Sequence, residues 1–171
     1  MSRIGFFTFG VLKADFGDPA VQGFVDRIAD VFDTAEGSGG FIDHASTGTL
    51  DWGERVSPRF ADGALNRVTS TLSIWQDVES VSIFSIQGVH SEALRRRHEW
   101  YPDVDYPNHV GWWVDDDHVP TWAEASERIE YLHDNGSTPR AFSLRSAFDA
   151  EGEPMKPDPA KMNQYQKISR R

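Results

Sequence analysis

Residues 4–12, IGFFTFGVL, constrain the fold more than any other stretch. They alternate as a strand does, yet both faces are apolar: Phe7, Phe9 and Val11 fall on one side, and Phe6, Thr8 and Leu12 on the other. A strand with one wet face carries polar residues there. This pattern therefore predicts a strand, and so a sheet, covered on both sides.

The following segments supply strands and covers. Asp18 caps a helix with Pro19 at its first position, and Phe24, Ile28, Val31, Phe32 and Ala35 form its apolar stripe before the glycine-rich run at 36–40. Phe41 to Ser46 reads as a second strand with Ile42 and His44 on one face. Residues 47–66, with Gly48, Gly53, Pro58 and Gly63, predict an irregular loop pinned by Trp52 and Phe60. Val68 to Trp75 is a third strand; Leu72 and Ile74 face one way, and Thr71, Ser73 and Trp75 the other. Asp77 caps the next helix, with Val78, Val81 and Phe84 inward. Gly88 interrupts it, and helical character resumes with His90, Leu94, Arg97 and Tyr101 along one side.

His109 to Val114 is a fourth strand. Thr121 and Glu124 form a capping-box pattern ahead of a helix carrying Ala125, Ile129 and Leu132, which ends at Asn135-Gly136. Ala141 to Phe148 reads as a fifth strand. One domain is expected over 1–149, followed by a polar tail, 150–171, ordered against its own subunit or a partner. The first six elements follow the split βαβ order of an α+β, ferredoxin-like βαββαβ core with an antiparallel sheet; the last helix and strand are additions. Helices cover one face of such a sheet. The apolar residues on the second face then call for dimerisation through it.

Composition narrows function by exclusion. Without cysteine there are no disulfides, thiolate metal sites or cysteine nucleophiles, which fits a cytoplasmic protein. A net charge of −10 argues against nucleic acid or an anionic membrane as partner. No apolar run approaches the roughly 20 residues of a membrane span, and the N-terminus lacks a small-residue cleavage site. Phosphate-binding glycine loops, a His-Glu-x-x-His pair and a nucleophile elbow are absent.

Several features taken together resemble the dimeric α+β-barrel superfamily: the element order, Trp75 closing a strand before the Asp77 cap, and His90 about fifteen residues later. The chain resembles more closely a bacterial family of unknown-function domains within that superfamily. The shared pattern is His90, Arg96-Arg97, Trp100-Tyr101, Trp112-Trp113, His118-Val119-Pro120-Thr121 and the Gly136 to Phe142 ending. It departs at Asp116-Asp117, where the family more often has a glycine-containing turn. The resemblance implies a dimeric barrel but no single reaction, because relatives include antibiotic-biosynthesis-type monooxygenases, isomerases, cyclases and haem enzymes.

The candidate site residues fall in or near Leu72 to Trp113. His90 is the leading acid–base group. Arg97, seven residues on and on nearly the same helix side, can clamp an oxyanion. His44 is a further catalytic candidate. Trp75, Trp112, Trp113, Trp100, Phe9 and Arg96 are the candidate substrate contacts, with Trp112 and Trp113 on opposite strand faces. Asp115, Asp117 and His118 form too small a set for a convincing metal site, and His98, His109 and His133 read as surface or structural. The expectation is a cofactor-free enzyme acting on a planar or polycyclic small molecule in a sheet–helix pocket, by oxygenation, isomerisation or cyclisation. The alternatives are haem held by His90 or His44, and a non-catalytic binding dimer.

Overall fold

The computed structural model describes residues 2–46 and 49–169. Gly48, one of the turn glycines expected in the loop after the second strand, lies outside them. Four strands, β1 (Ser2–Val11), β2 (Phe41–His44), β3 (Val68–Trp75) and β4 (His109–Asp115), form one antiparallel sheet in the order β2-β3-β1-β4. Helices α1 (Gln22–Val25) and α2 (Ile28–Glu36) link β1 to β2. Helices α3 (Val78–Ser85) and α4 (Gly88–Arg96) link β3 to β4, and α5 (Trp122–Asn135) follows β4. The protein is thus an α+β fold. No helix among the described residues is long and apolar enough to cross a membrane.

The local signals act as the sequence predicts at most boundaries. Asp77 accepts from the Ser80 amide and the Ser80 hydroxyl answers in a capping box, so α3 starts where its stripe starts. Gly88 has φ +51°, a left-handed backbone that separates α3 from α4 where the sequence suggested a kink. Thr121 caps α5 through the Glu124 amide. Glu124 then does more: its carboxylate accepts from Trp112 Nε1 at 2.8 Å and His118 Nε2 at 2.7 Å, and lies 3.5 Å from Arg128.

Both faces of β1 are covered, each by this chain itself. Toward one layer point Phe7, Phe9, Leu72, Ile74, Val110 and Trp112, packed under α5 (Ala125, Ile129, Leu132) and the Trp52–Ala61 segment. Toward the other point Ile4, Phe6 and Trp75, packed under α2 and α3. The expectation of a twin rested on an open apolar face. Here α5 and the Trp52–Ala61 segment close that face, so the reason for a twin does not apply to it.

Two expected features differ. A bulge between Phe41 and Asp43 shifts the register of β2, so Phe41 and His44 share the helical face, whereas Ile42 is exposed. The segment 141–148 is not one strand. Phe142 makes a single bridge to Gly111, a 3-10 turn follows at Leu144–Ser146, and only β5 (Ala147–Phe148) pairs, with β6 (Pro154–Met155). Gly111 admits the Phe142 ring, which a Cβ there would meet at 3.1 Å. The tail ends in α6 (Pro159–Ser169), docked on α3 within the same chain. Tyr165 donates to Asp77 at 2.6 Å, and Lys161 lies 2.9 Å from Asp77 and 3.3 Å from Glu79, two carboxylates buried beneath the helix.

Candidate functional site

The strand registers divide the helical face of the sheet into rows. Trp113, Ile4 and Trp75 form the first row, and Gly111, Phe6 and Ser73 the second. His109, Thr8 and Thr71 form the third, and beyond it stand Gly10 and Thr69. The face therefore passes from indole and aliphatic groups to hydroxyls and an imidazole within one β-strand length. In the third and fourth rows the Thr8, Thr69, Thr71 and His109 side chains are half-buried. Thr8 and Thr71 share a hydrogen bond of 2.7 Å, and Thr69 bonds the Tyr101 hydroxyl at 2.8 Å. Burial pushes that phenol up to about 12, so it is protonated and able to donate at neutral pH.

His90, in the first turn of α4, lies over the same face, next to Phe84, which stacks in turn on Trp75. Its ring packs on Phe84 at 4.5 Å, and Nδ1 sits 3.1 Å from the Ser85 carbonyl oxygen. A carbonyl only accepts, so Nδ1 carries the proton and Nε2 keeps its lone pair. Nothing among the described residues bonds Nε2. Burial lowers the pKa of His90, and the carbonyl opposes this only in part, so the ring is neutral at pH 7. His109 is also neutral, but both its nitrogens are used. Nε2 accepts from the Leu144 amide at 3.2 Å, and Nδ1 donates to Asn108 Oδ1 at 2.7 Å. Burial, followed by the charges of Arg145, His90 and Arg97, lowers its pKa to about 4. Arg97 closes α4 with an exposed side chain that makes no ion pair among the described residues.

The remaining candidates are placed elsewhere. His44 is buried between α2 and β2, where Nε2 donates to Glu36 at 2.9 Å, Nδ1 accepts from the Ser46 amide, and the ring stacks on Phe32. Trp75 is 1% exposed, stacked on Phe84 with its N–H on Ser73, and is core rather than wall. Trp112 and Phe9 lie on the α5 face, on the other side of the sheet from His90. Trp112 and Trp113 do point to opposite faces, as their adjacency requires. Trp100 is buried, with the guanidinium carbons of Arg27 and Arg96 5.4 and 5.3 Å from its ring centroid, and Arg96 is held bidentately by Glu99. Trp113 is half-buried, donates to the Phe148 carbonyl, and borders a cleft of about 630 Å³ at the β4 edge with Asp115, Asp117, His118 and Arg128. That cleft does not include His90. No group of three or more His, Asp or Glu side chains among the described residues is set to hold a metal ion.

Of the expected set, His90 and Arg97 both exert an electrostatic influence on His109; Tyr101, Thr8, Thr69 and Thr71, which the sequence did not single out, supply the hydrogen-bonding groups of that end of the sheet. One signal for the additions is legible. Thr69, Thr71 and Ser73 occupy one parity of a strand whose other parity is Leu72 and Ile74. In a sheet covered on both sides, such a hydroxyl row lies beneath helices and not in open water.

Comparison with known proteins adds a family. The family model described as a domain of unknown function, DUF3291, matches residues 3–158, and the chain belongs to that family. No curated protein and no solved structure matches the chain.

Proposed function

We propose that this member of the DUF3291 family is a small-molecule enzyme whose acid–base group is His90, working on the helical face of the sheet. The observation that carries the reading is the state of that imidazole: Nδ1 is fixed on the Ser85 carbonyl, Nε2 is unbonded among the described residues, and burial keeps the ring neutral. A neutral imidazole in a set orientation is a general base at physiological pH. Proton abstraction is the step shared by cofactor-free oxygenation, isomerisation and cyclisation, the reaction classes this reading takes in. Arg97 stabilises the anion that such a step leaves behind. The strand order, with α1 and α2 before β2 and α3 and α4 before β4, supports a ferredoxin-like scaffold for the site.

A second reading rests on the same imidazole. An axial haem ligand needs one nitrogen held by a carbonyl and the other free. His90 meets that requirement; His44, with both nitrogens engaged, does not.

The test is metabolite profiling of cell extract incubated with the wild-type protein and with His90→Gln. The reading expects a compound consumed by the wild type and consumed at least about 100-fold more slowly by the variant. Equal consumption by both proteins, or none by the wild type, removes the enzyme reading in favour of a non-catalytic binding protein. A Soret band in the purified protein that is lost in the variant moves the assignment to haem.

A further inference from the structure

The last helix is held differently from the one that seals the sheet. α5 buries Trp122, Ala125, Ile129 and Leu132, whereas α6 buries Tyr165 alone and leaves Ile168 56% exposed. Its hold is polar and converges on two carboxylates at the start of α3. Asp77 Oδ2 accepts from the Tyr165 hydroxyl at 2.6 Å and lies 2.9 Å from Lys161 Nζ. Glu79 Oε2 takes the same ammonium at 3.3 Å, and its Oε1 accepts from the Asp158 amide at 3.1 Å.

The surface under α6 is shaped for this contact. Lys161 and Tyr165, four residues apart, share one side of the helix. A Cβ on Gly39 or Gly40 would meet the Tyr165 ring at 2.9 or 3.0 Å, and the Gly39 amide donates to the Ser169 hydroxyl at 3.1 Å. Asp77 and Glu79 are only 6% and 5% exposed beneath the helix. Two like charges covered together need a cation between them, and the Lys161 ammonium supplies it. The requirement is for an ammonium and a phenol at helical spacing, not for this tail in particular. Asp77, Glu79 and both glycines fall within the residues that match the family model, 3–158, whereas Lys161 and Tyr165 fall beyond them. A helix seated on so little apolar surface opens locally before the sheet unfolds.

We infer that Asp77, Glu79 and the Gly39-Gly40 turn form a docking surface for a partner protein's helix carrying lysine and tyrosine four residues apart, and that α6 fills it as an intramolecular competitor. The surface does not involve His90, and the inference stands or falls apart from that reading.

The experiment titrates a fluorescently labelled peptide of residues 157–169 into the full chain and into its Lys161→Met, Tyr165→Phe double variant, in which the resident helix is loosened. The double variant is expected to bind saturably and at least about tenfold more tightly than the wild type, whose own α6 occupies the surface. A peptide carrying Lys161→Met should bind the double variant at least about tenfold more weakly, and adding Glu79→Gln to the double variant should weaken the unaltered peptide likewise. Hydrogen exchange on the unaltered chain should show α6 opening at least about tenfold more often than β1 and β3. No saturable binding, equal affinity for the two peptides, equal affinity of the wild type and the double variant, an unchanged affinity after Glu79→Gln, or exchange of α6 only together with the sheet each overturns the inference.

Discussion

The two faces of the sheet are built from the same strands to different ends. Toward α5, β1 and β3 present Phe7, Phe9, Leu72 and Ile74, all at or below 4% exposure, and β4 adds Val110 and Trp112. Toward α2 and α3, the same strands begin with Ile4, Phe6 and Trp75 and then change to Ser73, Thr8 and Thr71. Covering a sheet with helices does not require hydroxyls, and aliphatic residues would pack there at lower cost. The difference teaches that one face is optimised for burial, whereas the far end of the other trades packing for hydrogen-bonding groups. Sites for small molecules show this combination.

The largest expected effect lies on the sealed face. Trp112→Ala removes a fully buried indole and strands its Glu124 partner, and should cost about 3–5 kcal/mol in urea unfolding. A loss under 1 kcal/mol would mean that this face is less tightly filled than its burial implies.

Next comes pH. His109 titrates near 6.5 in an unfolded chain and at about 4 in the fold. Above 6.5 the ring is neutral in both states and its contribution is complete. As pH falls from 6.5 toward 4, only the unfolded chain takes up the proton, so stability drops progressively, by up to about 3 kcal/mol, and levels off below 4. His90, also lowered, acts with the same sign. Unfolding measured across this window should show the slope, and His109→Gln should flatten it. A slope unchanged in that variant would place its origin elsewhere.

A smaller loss is expected outside the sheet. Tyr165→Phe removes the hydrogen bond to buried Asp77 and should cost about 1–2 kcal/mol, read as a lowered Tm. No change would mean that Lys161 and the Ser80 amide suffice for that carboxylate.

The smallest effect sharpens the contrast most. Thr8→Val with Thr71→Val replaces both partners of a hydrogen bond by groups of the same shape, and should change stability by less than about 1 kcal/mol. If the double variant instead loses as much as Trp112→Ala, the third row is core and the comparison between faces fails.

How much of this was legible depended on the range of each signal. Local chemistry read well: the Asp77 cap, the Thr121 cap, the break at Gly88 and the alternation from Val68 to Trp75 are all decided within a few residues. The parity of β2 did not, because one bulged residue reverses which side chains share a face, and nothing in Phe41 to His44 announces it. Nor did the cover of the second face: an amphipathic helix such as α5 serves a sheet as well as a partner does, and the pattern alone does not choose. The surroundings of the tryptophans were not legible either: Trp75 packs on Phe84, Trp100 meets Arg27 and Arg96, and Trp112 donates to Glu124, neighbours that only the folded chain brings near. His109 does prove structural, with both ring nitrogens engaged, but its partner Leu144 lies 35 residues away and only the folded chain reveals the bond.

Glu124 has a consequence for how α5 seats. Its amide answers the Thr121 cap while its two carboxylate oxygens reach an indole on β4 and the imidazole of the connecting turn. The helix is thus keyed at its first turn, like a shaft with a pin: rolling it about its axis or sliding it by one residue would pull the pin from both slots at once. A greasy stripe alone would tolerate several settings of comparable quality. One acidic side chain at the mouth of the helix leaves a single one.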